Sequence, residues 1–110
     1  LGCGFVSLRK PGKLPREVHR EEYSLEYGSN ALEIHTDALT PSDRVVIVDD
    51  VLATGGTAKA AVDLVRRTGA EVASLVVVMD LPFLNGRAEL AGRGVPVHAL
   101  IDDRGKPYVD

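Results

Sequence analysis

Apolar and polar positions change rhythm several times along the chain, and each rhythm predicts an element. Gly4-Phe5-Val6-Ser7-Leu8 reads as a short strand, followed by the cationic stretch Arg9-Lys10-Pro11-Gly12-Lys13. Pro11, Gly12 and Pro15 forbid regular structure there, which puts those charges on a loop. Residues 16–22 mix both signs and read as a solvated, mobile segment. From Tyr23 to Thr36 the period becomes two, with Leu32 and Ile34 pointing one way and Glu33 and His35 the other. Gly28-Ser29-Asn30 precedes that alternation, so a hairpin with one wet face is expected. After the turn Thr40-Pro41-Ser42-Asp43, Val45-Val46-Ile47-Val48 is β-branched and apolar on both faces, as in a buried central parallel strand. It runs into Asp49-Asp50 and a Gly/Thr-containing loop. A helix from about Thr57 to Thr68 comes next, with Ala58, Ala61, Val62 and Val65 on one stripe. Arg66, Arg67 and Gly69 supply its stop signal. Further buried strands are expected at Val72 to Met79 and Val95 to Ile101. Strand–helix–strand spacing of this kind predicts an α/β fold with a mostly parallel sheet.

Composition narrows the classes of function. At 110 residues, the chain is expected to be one domain. Its 13 Lys+Arg against 16 Asp+Glu give a net charge of −3, which weighs against a nucleic-acid partner. No apolar run approaches ~20 residues, so no membrane span is expected, nor an export leader. The single cysteine, Cys3, cannot form an internal disulfide, which fits a reducing, cytoplasmic compartment. Cys3 reads as an inert small hydrophobe, and His19, His35 and His98 are too scattered to form a ligand cluster. The chain opens at Leu1-Gly2 without a methionine, as though it starts in the middle of something.

The chemistry concentrates in Asp49-Asp50-Val51-Leu52-Ala53-Thr54-Gly55-Gly56-Thr57. Open parallel sheets bind ligands beyond the carboxyl ends of their strands, where this turn stands. Gly55 and Gly56 let the backbone approach an anion, and the first N–H groups of the helix can cradle a phosphate with the Thr54 and Thr57 hydroxyls. Asp49 and Asp50 repel phosphate but can accept hydrogen bonds from the hydroxyls of a ribose. A phosphorylated sugar satisfies both halves. No Gly-Lys-Ser/Thr triplet occurs, which excludes a nucleotide P-loop. Ser7 stands where the third glycine of a dinucleotide fingerprint starting at Gly2 would be. Alone, the two glycines read equally well as a tight βα turn. The acids at the end of an apolar strand favour a ligand, because burying them without one is costly.

Val45 to Thr57 resembles the signature of the type I phosphoribosyltransferases, which bind phosphoribosyl pyrophosphate (PRPP). Arg9-Lys10-Pro11-Gly12-Lys13-Leu14-Pro15, Tyr23-Ser24-Leu25-Glu26-Tyr27-Gly28 and Leu32-Glu33-Ile34-His35 are similar to the adenine branch of that family. The resemblance runs to about Ile101 and implies an open, mostly parallel sheet with flanking helices and a mobile β-hairpin loop. It implies that Asp49 and Asp50 hold the ribose hydroxyls and that Ala53, Thr54, Gly55, Gly56 and Thr57 hold the 5-phosphate. Arg9, Lys10 and Lys13 would contact pyrophosphate, some across the interface of a homodimer; their bland reading is a solvated basic loop. Glu26 would exchange a proton with the purine and Tyr27 would close the site. Leu81 would pack against adenine, or otherwise simply belong to the core.

The implied reaction converts adenine and PRPP to AMP and pyrophosphate in purine salvage, with Mg²⁺ carried on substrate oxygens rather than in a protein cage. The alternative is a PRPP-binding regulatory module or inactive fragment, against which the retained basic loop and Glu26-Tyr27 argue. Relative to the family, the front lacks a hood over the base, a core strand with a pyrophosphate loop, and a helix leading into Gly4-Phe5. The absent strand would lie between Phe5–Leu8 and Val45–Val48, so exposed strand edges and apolar surface are expected. Residues 102–110 carry no assigned role.

Overall fold

The computed structural model describes residues 3–10, 12–14, 17–25 and 28–107. The elements are β1 (Val18–Leu25), β2 (Gly28–His35), β3 (Arg44–Leu52), α1 (Gly56–Arg67) and β4 (Glu71–Asp80), then a 3-10 turn (Pro82–Leu84), α2 (Gly86–Ala91) and β5 (Val97–Ile101). Strands β3, β4 and β5 form a parallel sheet in that order. Strands β1 and β2 form a separate antiparallel hairpin, paired from Val18 opposite His35 to Leu25 opposite Gly28. This is the α/β architecture that the periodicities predict.

Helix α1 packs against β1 and β2 as well as against β3 and β4. That dual packing explains a buried surface wider than one stripe. Ala58, Ala61, Val62 and Val65 are buried as expected, and Ala60 and Leu64 are buried with them. The helix stops at Thr68, whose hydroxyl donates to the Val65 carbonyl at 2.5 Å, and Gly69 takes the left-handed conformation at φ 87°. The core continues through Ile34, Leu52, Leu75, Val77 and Leu90, all essentially inaccessible.

Four expectations are corrected. Gly4–Leu8 forms no strand, because no described segment offers it a ladder; Phe5 is fully exposed, and only an isolated bridge joins Arg9 to Glu33. Among residues 16–22, Val18 to Glu22 belong to β1, since pairing across the hairpin sets Arg20 opposite Glu33 and Glu21 opposite Leu32. Among the described residues, strand β3 stands at the edge of the sheet rather than its centre: Ile47 faces the core, but Val46 and Val48 are 52% and 73% exposed. With Val78 and Leu100 they leave one sheet face apolar and open, the surface the resemblance leads one to expect. Glu33, assigned to the wet face of the hairpin, is buried, with Arg9 and Gly12 bonded to it.

At the other end, Asp102 Oδ1 accepts the main-chain N–H groups of Arg104 and Lys106, both at 2.9 Å, and closes a turn that returns Pro107 to Ile101. No helix among the described residues is long and apolar enough to cross a membrane.

Candidate functional site

Strand β3 extends past its valines to Leu52, so both acids lie inside the strand's last turn of chain rather than after it. Asp50 is exposed and Asp49 half-buried, because β3 is the open edge of the sheet; the cost of full burial supposed from the sequence does not arise. The Asp50 N–H donates to Asp49 Oδ1 and the Val51 N–H to Asp50 Oδ1, both at 2.8 Å. A carboxylate has about four acceptor positions, so each retains capacity for a hydroxyl donor. Partial burial holds Asp49 above the usual carboxylate range, opposed by the Asp50 N–H and reinforced by the neighbouring Asp50 side chain.

Ala53, Thr54 and Gly55 turn the chain into α1. Gly55 is the N-cap residue at φ 92°, with no side-chain cap and no acid in the first helical turn. The opening N–H groups of Gly56 and Thr57 therefore keep the partial positive charge of the helix terminus without a carboxylate to neutralise it. Thr54 is exposed and Thr57 half-buried beside them.

The far side of this turn rests on α2. A Cβ on Gly55 would stand 3.1 Å from Glu89 Cβ, and one on Gly86 would stand 2.5 Å from the Ala53 carbonyl oxygen. Gly86 is thus required by close approach, and Gly55 by its left-handed backbone. Lys59 of α1 pairs with Glu89 at 3.6 Å. Beneath lies Asp80, 1% exposed, accepting from Arg87 Nε at 2.8 Å while Arg87 also donates to the Val97 carbonyl at 3.0 Å. One guanidinium thereby joins the end of β4, the start of β5 and α2. Gly86, Arg87 and Asp80 were not singled out from the sequence. An acid ending an apolar strand, with a Gly-Arg pair shortly after it, is the signal that could have found them.

Leu81 is brought to the same place: its N–H donates to the Leu52 carbonyl at 2.9 Å, and its side chain is half-buried. Arg9, Lys10 and Lys13 are held elsewhere, and the contacts of their segment run to Glu33 on β2. Glu26 and Tyr27 lie outside the described residues. A cleft of about 250 Å³ runs between the hairpin and α1, lined by Glu22, Tyr23, Gly56, Lys59, Ala60 and Asp63. It shares Gly56 with the turn but is not lined by Asp49 or Asp50.

Residues 5–90 match the phosphoribosyl transferase domain. The chain belongs to that family. The chain is 60% identical over 95 residues to an adenine phosphoribosyltransferase of Francisella philomiragia, covering 86% of this chain and 54% of that one. A crystal structure of adenine phosphoribosyltransferase from Thermoanaerobacter pseudethanolicus superposes with a TM-score of 0.87 at 51% identity, over 92% of this chain and 58% of that one. Another, from Trypanosoma brucei in complex with AMP, pyrophosphate and ribose-5-phosphate, superposes at 0.81 and 29% identity, over 96% and 51%. The chain thus spans about half the length of the curated relatives it matches. Its parallel sheet with flanking helices is the type I phosphoribosyltransferase fold.

Proposed function

We propose that this chain belongs to an adenine phosphoribosyltransferase of purine salvage, which converts adenine and PRPP to AMP and pyrophosphate, and that residues 1–110 are part of its single phosphoribosyltransferase domain, lacking the N-terminal portion. The reading is carried by one observation: an acid pair at the end of β3 leads directly into an uncapped helix terminus ringed by Gly55, Gly56 and two threonines. Phosphate seats on the N–H groups at Ala53 to Thr57, and Asp49 and Asp50 receive the ribose hydroxyls. Displacement at the anomeric carbon builds positive charge on the ring, which two nearby carboxylates favour. Arg9, Lys10 and Lys13 neutralise departing pyrophosphate. Glu26 exchanges a proton with the purine, Tyr27 closes the site against water, and Leu81 packs against adenine.

Among the described residues, no three His, Cys, Asp or Glu side chains converge on one point. Asp49 and Asp50 offer hard carboxylate oxygens, one half-buried and one exposed, a chemistry that fits an ion keeping water and substrate oxygens as its main ligands, as Mg²⁺ does. Carried on substrate oxygens, it would supply charge neutralisation to the leaving group. A homodimer in the cytoplasm completes the reading, the single cysteine fitting a reducing compartment.

Calorimetry with PRPP tests the site directly. The double substitution Asp49→Asn, Asp50→Asn is expected to weaken PRPP about tenfold or more, two charge-assisted hydrogen bonds being lost. Unchanged affinity would remove the ribose assignment. A radiometric adenine-to-AMP assay separates turnover from binding alone, and gel filtration tests the dimer.

A further inference from the structure

The cationic segment and the hairpin meet at one residue. Glu33 sits in the middle of β2, and its backbone makes an antiparallel bridge to Arg9: the Arg9 N–H donates to the Glu33 carbonyl at 3.0 Å, and the Glu33 N–H to the Arg9 carbonyl at 2.7 Å. Its carboxylate then reaches past Arg9 to accept the Gly12 N–H at 3.2 Å. Gly12 stands at φ 80°, a backbone setting that directs this N–H inward at little steric cost for glycine alone. The Lys13 N–H closes onto the Lys10 carbonyl at 3.3 Å between these anchors. Glu33 is 8% exposed. A carboxylate so far from water is retained only where something requires its acceptor oxygens.

We infer that Glu33 is a positioning residue for anion binding by the loop of Arg9, Lys10 and Lys13, fixing that loop to the hairpin at both ends. This rests on the proposed assignment of pyrophosphate to the loop. Three flexible cations on an unanchored Gly/Pro segment would lose conformational entropy each time they gathered on a polyanion. Anchoring at Arg9 and Gly12 removes much of that cost before the anion arrives. The bridge also gives β2 a strand-like neighbour at Arg9, in addition to β1.

Binding of inorganic pyrophosphate and of ribose 5-phosphate to the chain, measured separately by calorimetry, tests the inference. Glu33→Ala is expected to weaken pyrophosphate about tenfold and leave ribose 5-phosphate, whose seat is the 49–57 turn, within about twofold. Glu33→Gln keeps the Oε1 acceptor and is expected to restore pyrophosphate to within about twofold of the parent chain. Unchanged pyrophosphate affinity in Glu33→Ala, equal loss of both ligands, or no rescue by Glu33→Gln would each overturn it. If the parent chain binds no pyrophosphate, or the triple variant Arg9→Ala, Lys10→Ala, Lys13→Ala binds it unchanged, the assignment to the loop fails and the inference with it. Loss in the triple variant beside normal binding in Glu33→Ala strikes the inference alone.

Discussion

Asp49 carries opposing demands. Partial burial raises its proton affinity above the unfolded value of 3.8, so the folded chain binds that proton more tightly than the unfolded chain does. Stability from this group is therefore present below that value and lost as pH rises through the raised one. At neutral pH the ionised carboxylate is a net cost, reduced by its contact with solvent. Asp49→Asn keeps the acceptor for the Asp50 N–H, and is expected to stabilise the chain at pH 7 by on the order of 0.5 kcal/mol. The gain should vanish at about pH 3, where the carboxyl is protonated in both states; urea titrations at the two pH values check it. A residue that costs stability and persists beside a helix terminus is what a binding site leads one to expect. The placement of Asp49 and Asp50 just before the turn into α1 was legible because its signal is local: two acids, then glycines, at the end of an apolar run. The burial of Glu33 was not, since alternation assigns a face but cannot see that Arg9 and Gly12 bond to it.

At the scale of elements, the turn at 53–57 depends on a short helix that follows it by some thirty residues. Gly86 meets Ala53 and Leu52 so closely that Gly86→Ala must push α2 away from the turn. We expect that substitution to destabilise the chain by about 2 kcal/mol and to weaken PRPP, read by thermal melting and calorimetry together. Helix α1 itself was readable because its apolar stripe and terminal arginines act within a few residues of one another. The support from α2 was not, because nothing near Gly86 or Arg87 in sequence names Ala53, Asp80 or Val97 as their partners. The start of β1 was hidden for a related reason. Its charges suggest solvent, while its pairing is decided by β2.

For the whole molecule, the apolar face of Val46, Val48, Val78 and Leu100 sets how the 110 residues behave in solution. An unpaired, β-branched edge beside an open apolar face invites association between copies. Val48→Lys, at a position 73% exposed, is expected to reduce light scattering on concentration while changing stability by no more than about 0.5 kcal/mol. A large loss of stability would mean that this face is covered in the folded chain.

The placement of α1 between the hairpin and the parallel sheet has a consequence for amide exchange. Val62, Leu64 and Val65 have their side chains almost wholly out of water, so their N–H groups should be among the last to take up deuterium. The N–H groups of Gly56 and Thr57 belong to the same helix but lack acceptors within it, and should exchange early. A steep gradient in exchange rate along the first two turns of α1 follows, and an anion seated at the helix start would flatten it from one end.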